Sequence, residues 1–572
     1  MANAFAGMYI GTTGLQGAQA ALNTTANNLA NVNTKGYVRQ QVRFKDRNYD
    51  VIDKASMLVS TKQSGLGVSI GDVVHSRDVF LDKAYRLESG REAFYETCYE
   101  TANYMESLFQ ELDGEKFKSS IENLWVAFQE LAKAPADTVN QNLVLQKAEL
   151  LVSRTQTFYG DIQSYQLNIN DQIKDDIKTI NEIGNRIFEL NKEIQKAEAG
   201  QVETAMTFRD ERDYLLDKLA SYVNIDVREE ATGFVYVQIE TVDFIVEKGC
   251  NNIGTNVDRG TGFATPYWPQ LSDSENELYT PVLDVDKEIS SESNTDIGSL
   301  IAKLVMRGET NGKFVNIATN EAYSHVEDCM LMETQGKVDM LFHDIITTMN
   351  DIFCPNIETK VTSTLTSASG KQIKAGSEIL ILDTENRPVG VDGKLPPREL
   401  FERPGFDRYT EYTDAEGNVY YVYNKEDASD PSSLYTVGNV RVNEEMTKQT
   451  SLLPAYTQNG AVDMQLGQNL ANAWEKATMH INPNDSYPCT FQGYYDKMIG
   501  ELGTIGSIYK ASTETMTNSV ATIDNKRAQL IGVSSDEELT KMVKYQAAFN
   551  ASSRYINVVS EMIEHILNGL GV

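Results

Sequence analysis

Long hydrophobic runs are missing from this 572-residue sequence: no stretch approaches the roughly 18 consecutive apolar residues of a membrane-spanning helix, so a membrane is not an expected partner. Positive charge is also in short supply. Lys and Arg number 51 against 82 Asp and Glu, a formal net charge of -31, which removes the basic footprint that phosphate backbones and anionic lipid require. Nucleic acid is therefore not expected either. Charge of any kind is absent before Lys35, so the basic start of a secretory signal is not there, which by itself points to a cytoplasmic protein. Five cysteines, Cys98, Cys250, Cys329, Cys354 and Cys489, are widely spread with no C-x-x-C pair, and read as buried thiols rather than a disulfide framework.

Histidine is as scarce as cysteine, with five residues, which leaves little room for acid-base or metal chemistry. The strings H-E-x-x-H, G-x-S-x-G, Walker A and G-x-G-x-x-G do not occur, so neither enzyme activity nor a cofactor is expected. Two weaker patterns occur. His325 and Cys329 stand four apart on an expected helix, with His343 and Cys354 downstream, but the spacing matches no standard zinc site. Unligated core or surface residues are the plainer reading. Asp414, Glu416 and Asn418 form an acidic turn whose Gly417 has the wrong offset for an EF-hand, so a hairpin turn is expected and no metal.

What is present lies first at the two ends. From Gly14 to Gln40 the residues Leu15, Ala18, Leu22, Thr25, Leu29 and Val32 fall alternately three and four apart, the spacing of a helix with one narrow apolar seam. Near the other end, Ser535 and Glu538 have capping-box spacing, and Met542, Phe549, Ile556, Ile563 and Leu570 recur every seven residues, with Leu539 and Leu567 at the complementary position. The two seams are expected to pair as a coiled coil. Three leucines and a valine are a small apolar surface for a helix rich in Asn and Thr, which favour caps and turns. The first segment is accordingly expected to be disordered in the free chain and helical on assembly.

The same residues carry a resemblance. Gly14-Leu15, Ala21-Leu22, the run NNLANVNTKGY from Asn27 and Arg39-Gln40 resemble the N-terminal signature of the flagellar axial proteins, the rod and hook family. GVSSDEELTKMVKYQAAFNASSRYINVVSEMIEHIL, from Gly532, resembles the closing segment of the family member at the hook–filament junction. The resemblance implies a structural adaptor of the flagellum, secreted through the flagellum's own export channel. It also implies self-assembly into a ring on the hook, with hook protein, a second junction protein, filament flagellin and an export chaperone as partners. Its assembly-interface residues would be Leu15, Leu22, Leu29, Val32, Leu539, Met542, Phe549, Ile556 and Ile563.

Between the ends, helical spacing returns three times. Tyr95, Cys98, Ala102, Met105, Phe109 and Leu112 form one stripe, and Phe117, Ile121, Leu124, Phe128 and Leu131 a second that stops before Pro135. The longest is Ile169, Ile173, Ile180, Ile183, Ile187, Leu190, Ile194 and Ala197, which only Asp176 interrupts. After Ile225 the period changes to two, with Val235, Val237 and Ile239 alternating. Helices are expected again over 296–309 and from Tyr323 to Phe353, then strands between Cys354 and Asn443.

These readings give an α+β multi-domain fold, with terminal helices pairing as a coiled coil, a long helical bundle domain and β-rich inserted outer domains. The expected parts are 1–60 with 532–572 (terminal coiled coil), 61–224 with 296–355 and 444–531 (helical bundle), 225–295 (β-rich insertion) and 356–443 (second β and loop insertion). Two other functions compete: another axial protein such as the hook subunit, which would turn to β structure soon after the signature, and a flagellar surface adhesin carried on the middle domain.

Overall fold

A computed structural model describes residues 2–34, 36–47, 50–53, 62–75, 77–110, 117–200, 204–273 and 275–570. The chain begins with helix α1 (Ala2–Ala30), then strands β1 (Gln40–Asp46), β2 (Asp50–Asp53), β3 (Lys62–Ser64) and β4 (Val68–His75). β1 pairs antiparallel with β4, and β2 with β3. Four helices follow: α2 (Val79–Gln110), α3 (Phe117–Lys133), α4 (Thr138–Glu198) and α5 (Met206–Tyr222). Of the two shorter stripes, Cys98, Ala102, Met105 and Phe109 on α2 and all five stripe residues on α3 are buried, and Tyr95 is half-buried; Leu112 lies outside the described residues.

α4 runs 61 residues. Its start is set by Asp137, which accepts a bond from the Val139 amide just past Pro135. Its apolar stripe is buried from Ile169 to Ile194, and Ala197 at its end is exposed. Asp176, the one break in that stripe, is buried too, paired at 2.6 Å with Lys303 from across the core. Burial pushes its carboxyl up even though Lys303 opposes the shift.

Strands β5 (Ile225–Glu229), β6 (Val235–Ile239), β7 (Val242–Val246) and β8 (Gly249–Cys250) form a four-stranded antiparallel meander, and β9 (Gly254–Val257) pairs with β10 (Ala264–Tyr267). Asparagines on α4 dock this region by bonding strand backbone in both directions. Asn191 donates to Val235 O at 2.8 Å and accepts from Val235 N at 3.2 Å, and Asn181 does the same with Ile253 at 2.9 and 2.8 Å. Between them Gly184 leaves room for Phe244, whose ring would stand 2.4 Å from an added methyl group.

Helices α6 (Ser299–Arg307), α7 (Asn320–Ser324) and α8 (Met330–Phe353) return to the block. The single helix expected from Tyr323 is thus two. His325 ends α7 and Cys329 precedes α8, so they do not share a helix face, and among the described residues no cluster could hold a metal ion.

The second β region holds β11 (Asn356–Lys360), β12 (Leu365–Ser367), β13 (Gln372–Ile373), β14 (Glu378–Leu382), β15 (Phe401–Glu402), β16 (Tyr409–Thr413), β17 (Val419–Tyr423) and β18 (Arg441–Val442). Six of them form one sheet in the order β11-β14-β17-β16-β12-β13, and β15 pairs with β18. The turn between β16 and β17 is closed by Asp414, which accepts bonds from the Glu416 and Asn418 amides. Helices α9 (Glu444–Lys448), α10 (Met464–Glu475), α11 (Phe491–Ile531) and α12 (Ser535–Leu570) complete the chain, α11 packing along α2 and α12 along α1. No described helix is long and apolar enough to cross a membrane.

Candidate assembly interface

α1 and α12 lie antiparallel, Gly7 against Val559 at one end and Asn28 against Glu538 at the other. The row of α1 that faces α12 is Gly7, Gly11, Gly14, Ala18, Ala21, Thr25 and Asn28, an alternating four-three step made of small and polar residues. Opposite it stand the larger residues of α12. A methyl group on Gly11 would sit 2.6 Å from Ile556 Cγ1, and one on Gly14 would sit 2.9 Å from Ser552 Oγ. Close approach therefore depends on side chains that are not there. The β1–β4 hairpin braces the pair, with the Phe44 ring beside Gly17 and 6.4 Å from that of Tyr545.

The far end of the seam is a polar knot. Asn28, 1% exposed, uses its full capacity: Nδ2 donates to Gln40 O (2.9 Å) and Glu538 Oε2 (3.0 Å), and Oδ1 accepts from Tyr37 OH (2.8 Å) and Gln40 N (3.0 Å). Glu538, equally buried, accepts from Arg39 Nε at 3.0 Å and Lys541 Nζ at 2.9 Å. Burial alone would raise its carboxyl, but the bonds from Asn28 and Lys541 and the Arg39 charge hold it below its ordinary value. Burial, with Asp210 and Glu538 close by, pushes the Tyr37 phenol up to about 12. The Arg39 amide also donates to Ile531 O at 2.9 Å, so this signature segment grips the α11–α12 connection as well.

Beyond the knot, the turn at Gly36 (φ +79°) lies on Tyr214, and Val38 N donates to Asp210 Oδ2 at 3.3 Å, which fastens the terminal pair to α5. Burial pushes Asp210 up to about 7, and burial with the charges of Arg77 and Arg209 pushes its neighbour His75 down to about 4. Next to them Arg527 Nη2 bridges Asp82 (2.9 Å) and Asp217 (2.7 Å), Arg86 Nε meets Asp217 at 2.7 Å, and Arg77 pairs with Asp82 at 2.6 Å and with Asp213. Charges from α2, α5 and α11 thus converge where the long helices meet the terminal pair.

The expected interface residues fall in two groups. Met542, Phe549, Ile556 and Ile563 lie on the side of α12 that faces α1, each half-buried. Leu15, Leu22 and Leu29 are half-buried one position beyond the facing row of α1 and flank the seam instead of filling it. Val32 follows the last turn and is 37% exposed, and Leu539 is 47% exposed and off the seam. The complementary row on α12 is Glu538, Tyr545, Ser552 and Val559, not the row of Leu539 and Leu567. The cap differs by one residue: Ser534 Oγ accepts from the Glu537 amide at 3.5 Å, which frees Glu538 for Asn28. Residue spacing missed the polar knot, although the uncharged Asn-rich run was its visible trace. Val543, Val558, Met562 and Ile566 remain exposed on α12, an uncovered apolar flank of a two-helix unit.

Comparison with known proteins separates ends from middle. Residues 8–37 match the flagella basal body rod protein family, residues 531–569 the C-terminal family of flagellar basal body rod FlgEFG proteins, and residues 102–353 the helical domain of flagellar hook-associated protein FlgK. The chain is 25% identical to flagellar hook-associated protein 1 of Bacillus subtilis (strain 168), over 100% of this chain and 99% of that protein. It is 22% identical to the protein of the same name from Salmonella typhimurium, over 97% and 98%. A solved structure of the flagellar hook junction protein FlgK from Burkholderia pseudomallei superposes with a TM-score of 0.49 at 14% identity, covering 80% of this chain and 100% of that one, a likeness too weak to carry an argument. With rod-type segments at both ends and paired terminal helices, the chain is one of the flagellar axial proteins. The helical-domain match between them and the full-length relatives make the likeness more specific: along its whole length the chain is similar to flagellar hook-associated protein 1.

Proposed function

We propose that the protein is a structural adaptor subunit joining the flagellar hook to the filament, and that its terminal helices are the part that assembles. The observation that carries this reading is the half-open seam. α1 contributes glycine and alanine, Met542, Phe549, Ile556 and Ile563 of α12 stay half-buried, and leucines and valines flank the pair on its outer sides. Such a unit lowers its free energy by adding further helices. Leu15, Leu22, Leu29, Val32, Leu539, Met542, Phe549, Ile556 and Ile563 would then pack within the pair or against neighbouring copies, and their role is packing rather than catalysis.

The same reading gives the 61–224, 296–355 and 444–531 segments the contacts between subunits in a ring on the hook, and turns the insertions at 225–295 and 356–443 toward solvent. Hook protein below, a second junction protein above and a cytosolic chaperone before export are the partners it implies, with secretion through the flagellar channel. The test is a Leu22→Asp, Ile556→Asp double variant in a flagellated strain. The helical block is expected to stay folded while flagellin is released into the medium instead of being retained on hooks. Normal filaments on these cells would refute the reading.

A further inference from the structure

The second β region encloses an open cavity of about 780 Å³ beside β12, β15 and β16, large enough for a small ligand. Arg403, 2% exposed, is part of its lining. Its guanidinium is stacked between the rings of Tyr435 (4.0 Å to the centroid) and Phe406 (4.5 Å), and Nη1 donates to Ser433 O. Nε and Nη2 are closed to solvent and have no hydrogen-bond partner. These two atoms form one edge of the guanidinium, the edge that grips both oxygens of a carboxylate. Among the described residues no carboxylate comes within 4.0 Å of Arg403. Glu399 and Glu426 act on this charge only through space, so the donor edge itself stays unused, and an unused buried donor edge is costly.

The other charges around the cavity specify what that anion carries. Arg408 is already held by Asp351 and, at 3.6 Å, by Glu399, while Glu402 is held by Arg441 at 2.8 Å and Glu445 by Arg398 at 2.6 Å. Asp407 and Glu411 also line the cavity, and their carboxylates have no partner among the described residues. They repel a doubly charged phosphate and accept hydrogen bonds from hydroxyl groups.

We propose that this cavity binds an acidic sugar, with the free edge of Arg403 on its carboxylate and Asp407 and Glu411 on its hydroxyls. Phe406 ends a turn that Gly405 closes at φ +82° and is only half-buried; because Nε and Nη2 are closed to solvent, the proposal requires the cover over that edge to open as the sugar enters. Nothing in the assembly role calls for such a site, and it stands whether or not the terminal helices act as described.

Isothermal titration of the full chain with glucuronate, its methyl ester, glucose, acetate and inorganic phosphate tests this. Glucuronate is expected to bind with a Kd on the order of 1 mM, and each of the other four at least about tenfold more weakly. Arg403→Lys, which keeps the charge and removes the two-donor edge, is expected to weaken glucuronate at least about tenfold. Absence of glucuronate binding at about 10 mM, equal binding of the ester or of phosphate, or an unchanged affinity in a folded Arg403→Lys protein each overturns the proposal. Should Arg403→Lys fail to fold, the ratio of acid to ester on the unaltered chain decides alone.

Discussion

α4 and α12 carry the same seven-residue apolar repeat and use it differently. On α4, Ile173, Ile180, Ile187 and Ile194 are all 0% exposed, surrounded by α5, α6 and the β5–β8 sheet. On α12, Met542, Phe549, Ile556 and Ile563 meet a single partner helix whose facing row is largely glycine and alanine, and they stay half-buried. The repeat marks a face that needs covering, and the number of neighbours in the chain decides how much of it is covered. α4 finds its neighbours within the molecule. On the proposed function, the terminal pair leaves part of its cover to other molecules.

The sharpest contrast comes from putting a charge into each repeat. Ile180→Asp buries an unpaired carboxylate and is expected to cost more than about 4 kcal/mol, abolishing the cooperative melt followed by circular dichroism. Ile556→Asp, at the matching position of α12, is expected to move that melt by less than about 1 kcal/mol while assembly fails. Similar losses of stability at the two sites would erase the distinction. Gly11→Leu comes next, since the seam has no space for a side chain and overpacking costs on the order of 1–3 kcal/mol. Cells with that variant should shed filaments, whereas the melting temperature of the purified chain holds.

Asn28→Ala removes four hydrogen bonds and leaves Tyr37, Gln40 and Glu538 short of partners, at a cost of about 1–3 kcal/mol. Faster amide exchange over residues 26–40 and 535–541 of the assembled protein, with α4 unchanged, is the expected signature.

The smallest effect belongs to the link between helical block and second β region. His343, stacked on Phe314, sits between Asp344 (3.0 Å) and Glu426 (2.9 Å). Burial would lower its pKa, but the two carboxylates outweigh burial and raise it to about 9. A raised value means that the charged pair contributes fully below about pH 6.5 and is lost as pH climbs through about 9. The melting temperature should therefore fall across that upper range, and His343→Gln should remove that part of the pH dependence.

The α4 stripe was legible because isoleucine at helical spacing is a strong signal, and even its interruption at Asp176 was visible. Lys303, the partner that makes Asp176 tolerable, lies 127 residues away and left no local trace. The α1 seam was read one row off for a physical reason: its contact residues are glycine and alanine, which allow close approach without adding hydrophobicity, so the leucines beside them drew attention instead. Ser534 and Ser535 offered two overlapping caps, and only the bond from Asn28 to Glu538 shows which one is used. The break between α7 and α8 falls inside a continuing apolar period, with Val326 still buried, so spacing alone ran through it. The free edge of Arg403 depends on Tyr435 and Ser433 arriving from another loop, which no window of sequence contains.

Hydrogen exchange on the free chain in dilute solution, beside the same chain assembled on hooks, tests the central claim most directly. In the free chain the amides of α1 and α12 should exchange within seconds while those of α4 stay protected, and assembly should slow the terminal helices by at least about 100-fold. Terminal helices as protected in the free chain as α4 would contradict the account.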